Sequence, residues 1–158
     1  GRFMYNATTP ATMRAAAKLM EYDFDASQVN RILDEVTPEV ARLSAYVLEN
    51  IKYTEHNAAY VVLDNETLAR FTLEDAGTAS IVPLVGKISS VVCWTVIVQQ
   101  KDETYRLRIR SKGPVINELA KEYAGGGHPL ASGAVLKSLD ELPTYLAKLD
   151  KIAATAEK

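Results

Sequence analysis

The chain has little of what most catalytic chemistries require. Cys93 is the only cysteine in 158 residues, so no disulfide can form within the chain, which fits a reducing compartment. Its place in the apolar run 91–98 reads as a buried core thiol. His56 and His128 are the only two histidines, 72 positions apart, and no Asp/Glu/His group falls at ligand spacing, so the sequence offers no two-metal site. It also lacks a P-loop, a Ser-His-acid triad and a Cys-His pair. No apolar run approaches the roughly 20 residues of a membrane span, and there is no signal-peptide pattern. Charge of one sign is missing too: 18 Lys and Arg against 20 Asp and Glu leave a net charge of −2. There is no global basic field for a long nucleic acid, and any anion site must be a local cluster. A soluble, cytoplasmic protein with no membrane partner is expected.

What is present suffices for a core. Apolar residues make up 47% and charged residues 24%, which argues against disorder. Cap signals at Thr8 or Thr9 before Pro10, at Asp25 or Ser27, and at Thr37 before Pro38 each precede apolar residues at helical spacing. They predict three short helices and a helical arm over residues 1–52. From 53 to 158 the pattern changes. Strands are expected at 58–63, 91–100, 104–111 and 132–136, the middle two forming a hairpin. Helices are expected at 66–71 and 79–88, from Pro114 to a stop at Gly125, and from a cap at Asp140 to about residue 154. The fold class is α/β: a mixed β-sheet flanked by helices, preceded by a short helical linker arm.

The residues that carry chemistry lie between 105 and 134. In Tyr105-Arg106-Leu107-Arg108-Ile109-Arg110, a period of two places Arg106, Arg108 and Arg110 on one sheet face. Three arginines in register repel one another unless anions or carboxylates sit among them. Arg106 reads as solvated. Arg108 and Arg110, approaching Ser111-Lys112-Gly113, read as phosphate ligands, since a guanidinium binds phosphate bidentately. One glycine would suffice to stop the next helix, but Gly125, Gly126 and Gly127 stand together. Such a run permits a ligand to approach the backbone closely and leaves amides to point at an anion. His128 follows as a donor or acid near neutral pH. Asn117, on the helix after the arginine strand, is a candidate for a base or ribose contact. These residues describe a domain that binds something phosphorylated and contains no catalytic residues of its own to hydrolyse it.

The segments Arg-Ser-Lys-Gly at 110–113, Asn-Glu-Leu-Ala at 117–120 and Gly-Gly-Gly-His-Pro-Leu-Ala-Ser-Gly-Ala at 125–134 resemble the C-terminal substrate-binding domain of the DHH phosphoesterase family. The likeness is to its nanoRNase branch, the oligoribonucleases and 3′-phosphoadenosine 5′-phosphate phosphatases. It implies a two-lobed parent enzyme whose N-terminal lobe holds two manganese ions while the C-terminal lobe grips the substrate. Positions matching Arg110, His128 and the glycine run would contact the phosphate and terminal nucleotide, with Arg108, Ser111 and Asn117 as further candidates. The opening Gly-Arg-Phe is similar to the segment that follows the family's last metal-binding aspartate, which places the manganese ligands in a lobe preceding residue 1. The implied function is the substrate-binding half of a manganese-dependent phosphoesterase acting on very short RNAs, on 3′-phosphoadenosine 5′-phosphate, or on both, with this half inactive by itself. The partners implied are short single-stranded RNA or nucleotide phosphates, the metal-binding lobe and, in the parent, a second copy in a homodimer. A non-catalytic nucleotide-binding module and a cyclic-dinucleotide phosphodiesterase of the same family are the alternatives, as is a glycine loop that only packs against a partner.

Overall fold

In the computed structural model, which describes residue 3 and residues 7–157, the chain divides into two compact units, Gly1–Val36 and Thr37–Lys158. The opening Gly1-Arg2 and Met4-Tyr5 lie outside the described residues. In the first unit, α1 (Pro10–Leu19) starts from a Thr9–Thr12 capping box. The Asp25 carboxylate accepts from Gln28 N at the start of α2 (Ala26–Asp34). Neither helix buries a residue.

The second unit opens with α3 (Pro38–Asn50), capped by Thr37, whose Leu43 and Val47 are fully buried. Then follow β1 (Lys52–Tyr53), β2 (Ala58–Leu63) and α4 (Asn65–Arg70). A 3-10 turn (Asp75–Ile81) leads into α5 (Val82–Val85), β3 (Cys93–Gln99) and β4 (Tyr105–Ser111). The chain finishes with α6 (Asn117–Glu122), β5 (Gly126–His128), β6 (Ala131–Leu136) and α7 (Leu142–Ala153). Six strands form one sheet in the order β1-β2-β3-β4-β6-β5. Only the β2–β3 pair is parallel, so the sheet is mixed, as expected.

Four boundaries differ from the sequence expectation, each for a local reason. The helix expected over 79–88 is a 3-10 turn followed by one α-turn, because Pro83 restarts a helix and cannot sit inside one. The helix expected from Pro114 begins at Asn117, since Ile116 N donates to Pro129 O at 2.8 Å and holds the preceding residues to the β5–β6 turn. At Ser138–Asp140 the cap is Ser138, whose hydroxyl accepts from Asp140 N above a 3-10 turn, and α7 starts two residues later with Pro143 in its first turn. Finally, Gly126–His128 is a strand and not a loop.

The sheet's two faces are covered unequally. One core layer packs Ala59, Val61, Leu63, Trp94, Val96 and Val98 against α3, α4, the 3-10 turn and α5. The other packs alternate residues of β2, β3, β4 and β6 against α6 and α7. Within it Tyr145 and Thr95 share a 2.6 Å hydroxyl contact, and burial pushes the phenol's pKa up. Burial, helped by the Asp150 charge, also pushes Cys93 up to about 12, so the expected core thiol is an inert one. Every buried apolar residue of β4 and β6 belongs to this second layer. The buried residues of the first layer stop at β3, and beyond it the 3-10 turn reaches the same face through Asp75 and Thr78, against Arg106 and Arg108.

Candidate phosphate-binding site on the uncovered half-sheet

Beyond β3 this face carries Arg108, Arg110, Gly126 and His128 of the sequence-predicted residues, together with Arg106. Strand register makes the rows explicit, since directly paired residues project to the same side. Arg110 pairs with Ala131, and Ala131 with His128. Arg108 pairs with Gly133, and Gly133 with Gly126. Arg106 pairs with Val135. Arginines therefore stand along β4 and His128 on the edge strand β5, two strand spacings away, or about 10 Å. Between them the floor is Ala131, Gly133 and Gly126, with almost no side chain to stand in a ligand's way. Arg106, Arg108, Arg110, Gly125, Gly126 and Gly133 line a groove of about 460 Å³ there.

The glycines are not equivalent. A Cβ on Gly125 would lie 2.0 Å from Gly133 O, and one on Gly127, whose φ is +139°, would lie 2.7 Å from Ala131 O. Both are demanded by the fold. A Cβ on Gly126 would meet nothing within 4 Å, so its bareness serves the open face and not the packing. The helix stop is none of the three. Ala124 takes the left-handed conformation (φ 52°), and Gly125 N donates to Ala120 O at 3.0 Å, the long bond of a Schellman cap. Because β5 is the sheet's edge, alternate amides along it face away from β6.

Arg108 and Arg106 already have a counter-charge. Asp75, on the 3-10 turn, accepts from Arg106 Nη1 through Oδ2, and its Oδ1 lies 2.7 Å from Arg108 Nη1. The second contact is close enough for an ion pair but lies off the hydrogen-bond axis. Arg108 also donates to Thr78 Oγ1 at 2.8 Å and to Asp75 O at 3.3 Å, and only 16% of its side chain is exposed. In-register arginines require a carboxylate or an anion among them. Asp75 meets part of that need, and no pattern near residue 75 marks it in the sequence. Arg110 donates to Ile109 O at 2.8 Å and reaches Ser132 O at 3.4 Å. Lys112 Nζ is tied to Ile88 O at 2.6 Å.

Ser111 and Asn117 are outside the groove. Ser111 pairs with Cys93, faces the second core layer, and its Oγ accepts from Gly113 N. It and α6 nevertheless gather at the turn that follows His128: Ser111 N donates to Leu130 O, Ile116 N to Pro129 O, and Ser132 Oγ to His128 O. Asn117 opens α6 at that corner with a buried Oδ1 that accepts no hydrogen bond. His128 itself is exposed.

Among the described residues, the only group that could gather around a metal is Glu55, His56 and Asp150. His56 Nδ1 is 2.8 Å from Asp150 Oδ2, and His56 N donates to Asp150 Oδ1 at 2.8 Å. One imidazole engaged by one carboxylate does not fit a two-metal hydrolytic centre.

The second unit is thus a helix-backed mixed sheet that carries arginines, bare glycines and an edge histidine on one face. The chain belongs to the DHHA1 domain family, whose model matches residues 58–155. It is 48% identical over 141 residues to the probable bifunctional oligoribonuclease and PAP phosphatase NrnA of Streptococcus mutans, covering 89% of this chain and 46% of that protein. It is 38% identical over 157 residues to the bifunctional oligoribonuclease and PAP phosphatase NrnA of Bacillus subtilis, covering 99% of this chain and 50% of that protein. Among solved structures, an exopolyphosphatase-related protein from Bacteroides fragilis superposes with a TM-score of 0.85 at 23% identity, over 96% of this chain and 47% of that one. The chain thus spans about half the length of the curated relatives it matches.

Proposed function

We propose that this chain is the substrate-binding half of a manganese-dependent phosphoesterase that hydrolyses very short RNAs, 3′-phosphoadenosine 5′-phosphate, or both, in the cytoplasm. The observation that carries the reading is the row Arg110–Ala131–His128 beside the row Arg108–Gly133–Gly126: cationic donors and a histidine facing each other across a floor of small residues. A phosphate on that floor would take a bidentate contact from Arg110 and a hydrogen bond from His128. Backbone amides of the edge strand would be in reach where Gly126 leaves room. Arg108, held by Asp75 and Thr78, would lend positive potential more than a direct contact. Ser111, Asn117 and Gly127 would shape the corner from which His128 projects. A site of this size suits a mononucleotide or an oligomer of a few residues, because tight binding of long strands draws on many phosphate contacts. The metal chemistry belongs to ligands outside this chain, and no hydrolytic step is assigned to its residues.

The test is a calorimetric titration of the chain with 3′-phosphoadenosine 5′-phosphate and with 5′-phosphorylated di- and trinucleotides, in buffer containing manganese. Binding without product formation is expected. Arg110→Ala should weaken it at least about tenfold, the scale of one lost charge-assisted pair. Wild-type affinity in Arg110→Ala would remove this site from the reading, and turnover by the pure chain would remove the division of labour.

A further inference from the structure

A second cluster shares no residue with the groove. The turn between β1 and β2 meets α7, and Glu55, His56 and Asp150 come together there, with one ligand atom from each within 4.8 Å of the other two. The turn is fixed by its own backbone. Thr54 N donates to Ala58 O at 2.9 Å, Ala58 N donates to the Thr54 hydroxyl at 3.1 Å, and Asn57 takes a left-handed φ of 62°. Asn57 O accepts from Val92 N at 3.1 Å, which anchors the turn just ahead of β3.

Asp150 is aimed by the same residue whose ring it meets. Its Oδ1 accepts from His56 N at 2.8 Å, and its Oδ2 is then 2.8 Å from His56 Nδ1. Their side chains are 18% and 33% exposed, open enough for an ion to enter from water and packed enough to hold their rotamers. Glu55 stands exposed beside them. No lysine or arginine among the described residues pairs with either carboxylate. Two acidic groups and one imidazole thus converge with no basic side chain to balance them.

We propose that Glu55, His56 and Asp150 bind one zinc ion that pins the β1–β2 turn to the last helix. An imidazole nitrogen with carboxylate oxygens suits zinc, and three protein ligands leave the fourth tetrahedral position to water. Magnesium and calcium are disfavoured, because each calls for a shell of oxygens and gains little from an imidazole. On binding, Nδ1 and Oδ2 turn from each other to the metal. The Nδ1 proton leaves to solvent if the ring is an imidazolium, and passes through solvent to Nε2 if it is neutral. Asp150 keeps the hydrogen bond from His56 N to Oδ1, which holds the carboxylate in place as a supporting contact does in a metal site. The role is structural: the ligands lie 94 positions apart in sequence, and a cross-link of that span removes much freedom from the unfolded chain.

The experiment titrates zinc chloride calorimetrically into chain first stripped with a chelator, and follows the ring signals of His56 and His128 by NMR. One equivalent should bind, moving the His56 signals and not those of His128, and the urea midpoint should be later in zinc than in chelator. Glu55→Gln, at an exposed position, should fold as wild type and weaken zinc binding at least about tenfold. His56→Ala should abolish both the bound equivalent and the zinc-dependent change in midpoint. His128 is the chain's other histidine and Cys93 is buried, so an equivalent that survives His56→Ala would lie elsewhere and overturn the site. Zinc affinity unchanged in Glu55→Gln, the absence of saturable binding, or a shift confined to His128 would overturn it equally. Magnesium binding as tightly as zinc would overturn the choice of ion.

Discussion

A methyl group on Gly125 would sit 2.0 Å from the carbonyl oxygen of Gly133 and 2.6 Å from Ala134 Cα, whereas one on Gly126 would meet nothing within 4 Å. Neighbouring glycines therefore answer to different demands, and substitution separates them. Gly125→Ala should cost at least about 2 kcal/mol in urea unfolding, since the obstruction is backbone that cannot rotate away. Gly126→Ala should change stability by less than about 0.5 kcal/mol yet weaken nucleotide binding, because the added methyl rises from the floor of the groove. Equal stability losses at the two positions would show that Gly126 also serves packing. In the sequence the three glycines look alike, because what distinguishes them is a strand that arrives only after the turn at Pro129.

Strand β4 was legible in detail: its alternation put Leu107 and Ile109 inward and the arginines together on the other face, and the sheet has them there. Periodicity of two is a property of the backbone itself. Helix ends were less legible. The glycine run suggested that Gly125 terminates α6, but Ala124 holds the left-handed φ of 52°, at a cost of about 1 kcal/mol for a residue with a Cβ. Ala124→Gly should accordingly raise stability by about 0.5–1 kcal/mol, seen as a later urea midpoint with an unchanged slope. A loss of stability would mean that the Cβ of Ala124 contributes more by contact than its backbone conformation costs. The short β1 and β5 were invisible beforehand, since strands of two and three residues carry no period to detect and exist only through their partners.

At the scale of the whole second unit, His56 and Asp150 tie the loop after β1 to the last helix through two contacts of 2.8 Å across 94 positions of sequence. Burial of Asp150 opposes its charge, but hydrogen bonds from the Thr54 hydroxyl and from the His56 ring and amide outweigh it and hold the carboxyl below its ordinary value. A lowered carboxyl pKa contributes stability that is present above the unfolded value, about 3.9, and is lost as pH falls through the folded value. Asp150→Asn should therefore be less stable than wild type by about 1–3 kcal/mol at pH 7, with the gap narrowing below about pH 4. A gap independent of pH would assign the effect to packing. His56 carried no assignment in the sequence, because its partner lies at the other end of the unit.

The sequence by itself determined the local and the chemical: which segments alternate as strands, the shared face of Arg106, Arg108 and Arg110, the anion-binding residue types of 105–134, and the family they resemble. Those features depend on covalent neighbours and on side-chain chemistry, which the chain carries whether folded or not. Only the tertiary structure decided that the buried first layer stops at β3, that α3 joins the sheet through Leu43 and Val47 while α1 and α2 bury nothing, that β5 lies at the edge with His128 in the row of Arg110, and that Asp75 supplies the counter-charge for two arginines. These depend on how apolar surfaces distribute themselves among helices distant in sequence. That choice is a sum of many small burial energies over the whole chain, and it leaves no mark at any single residue.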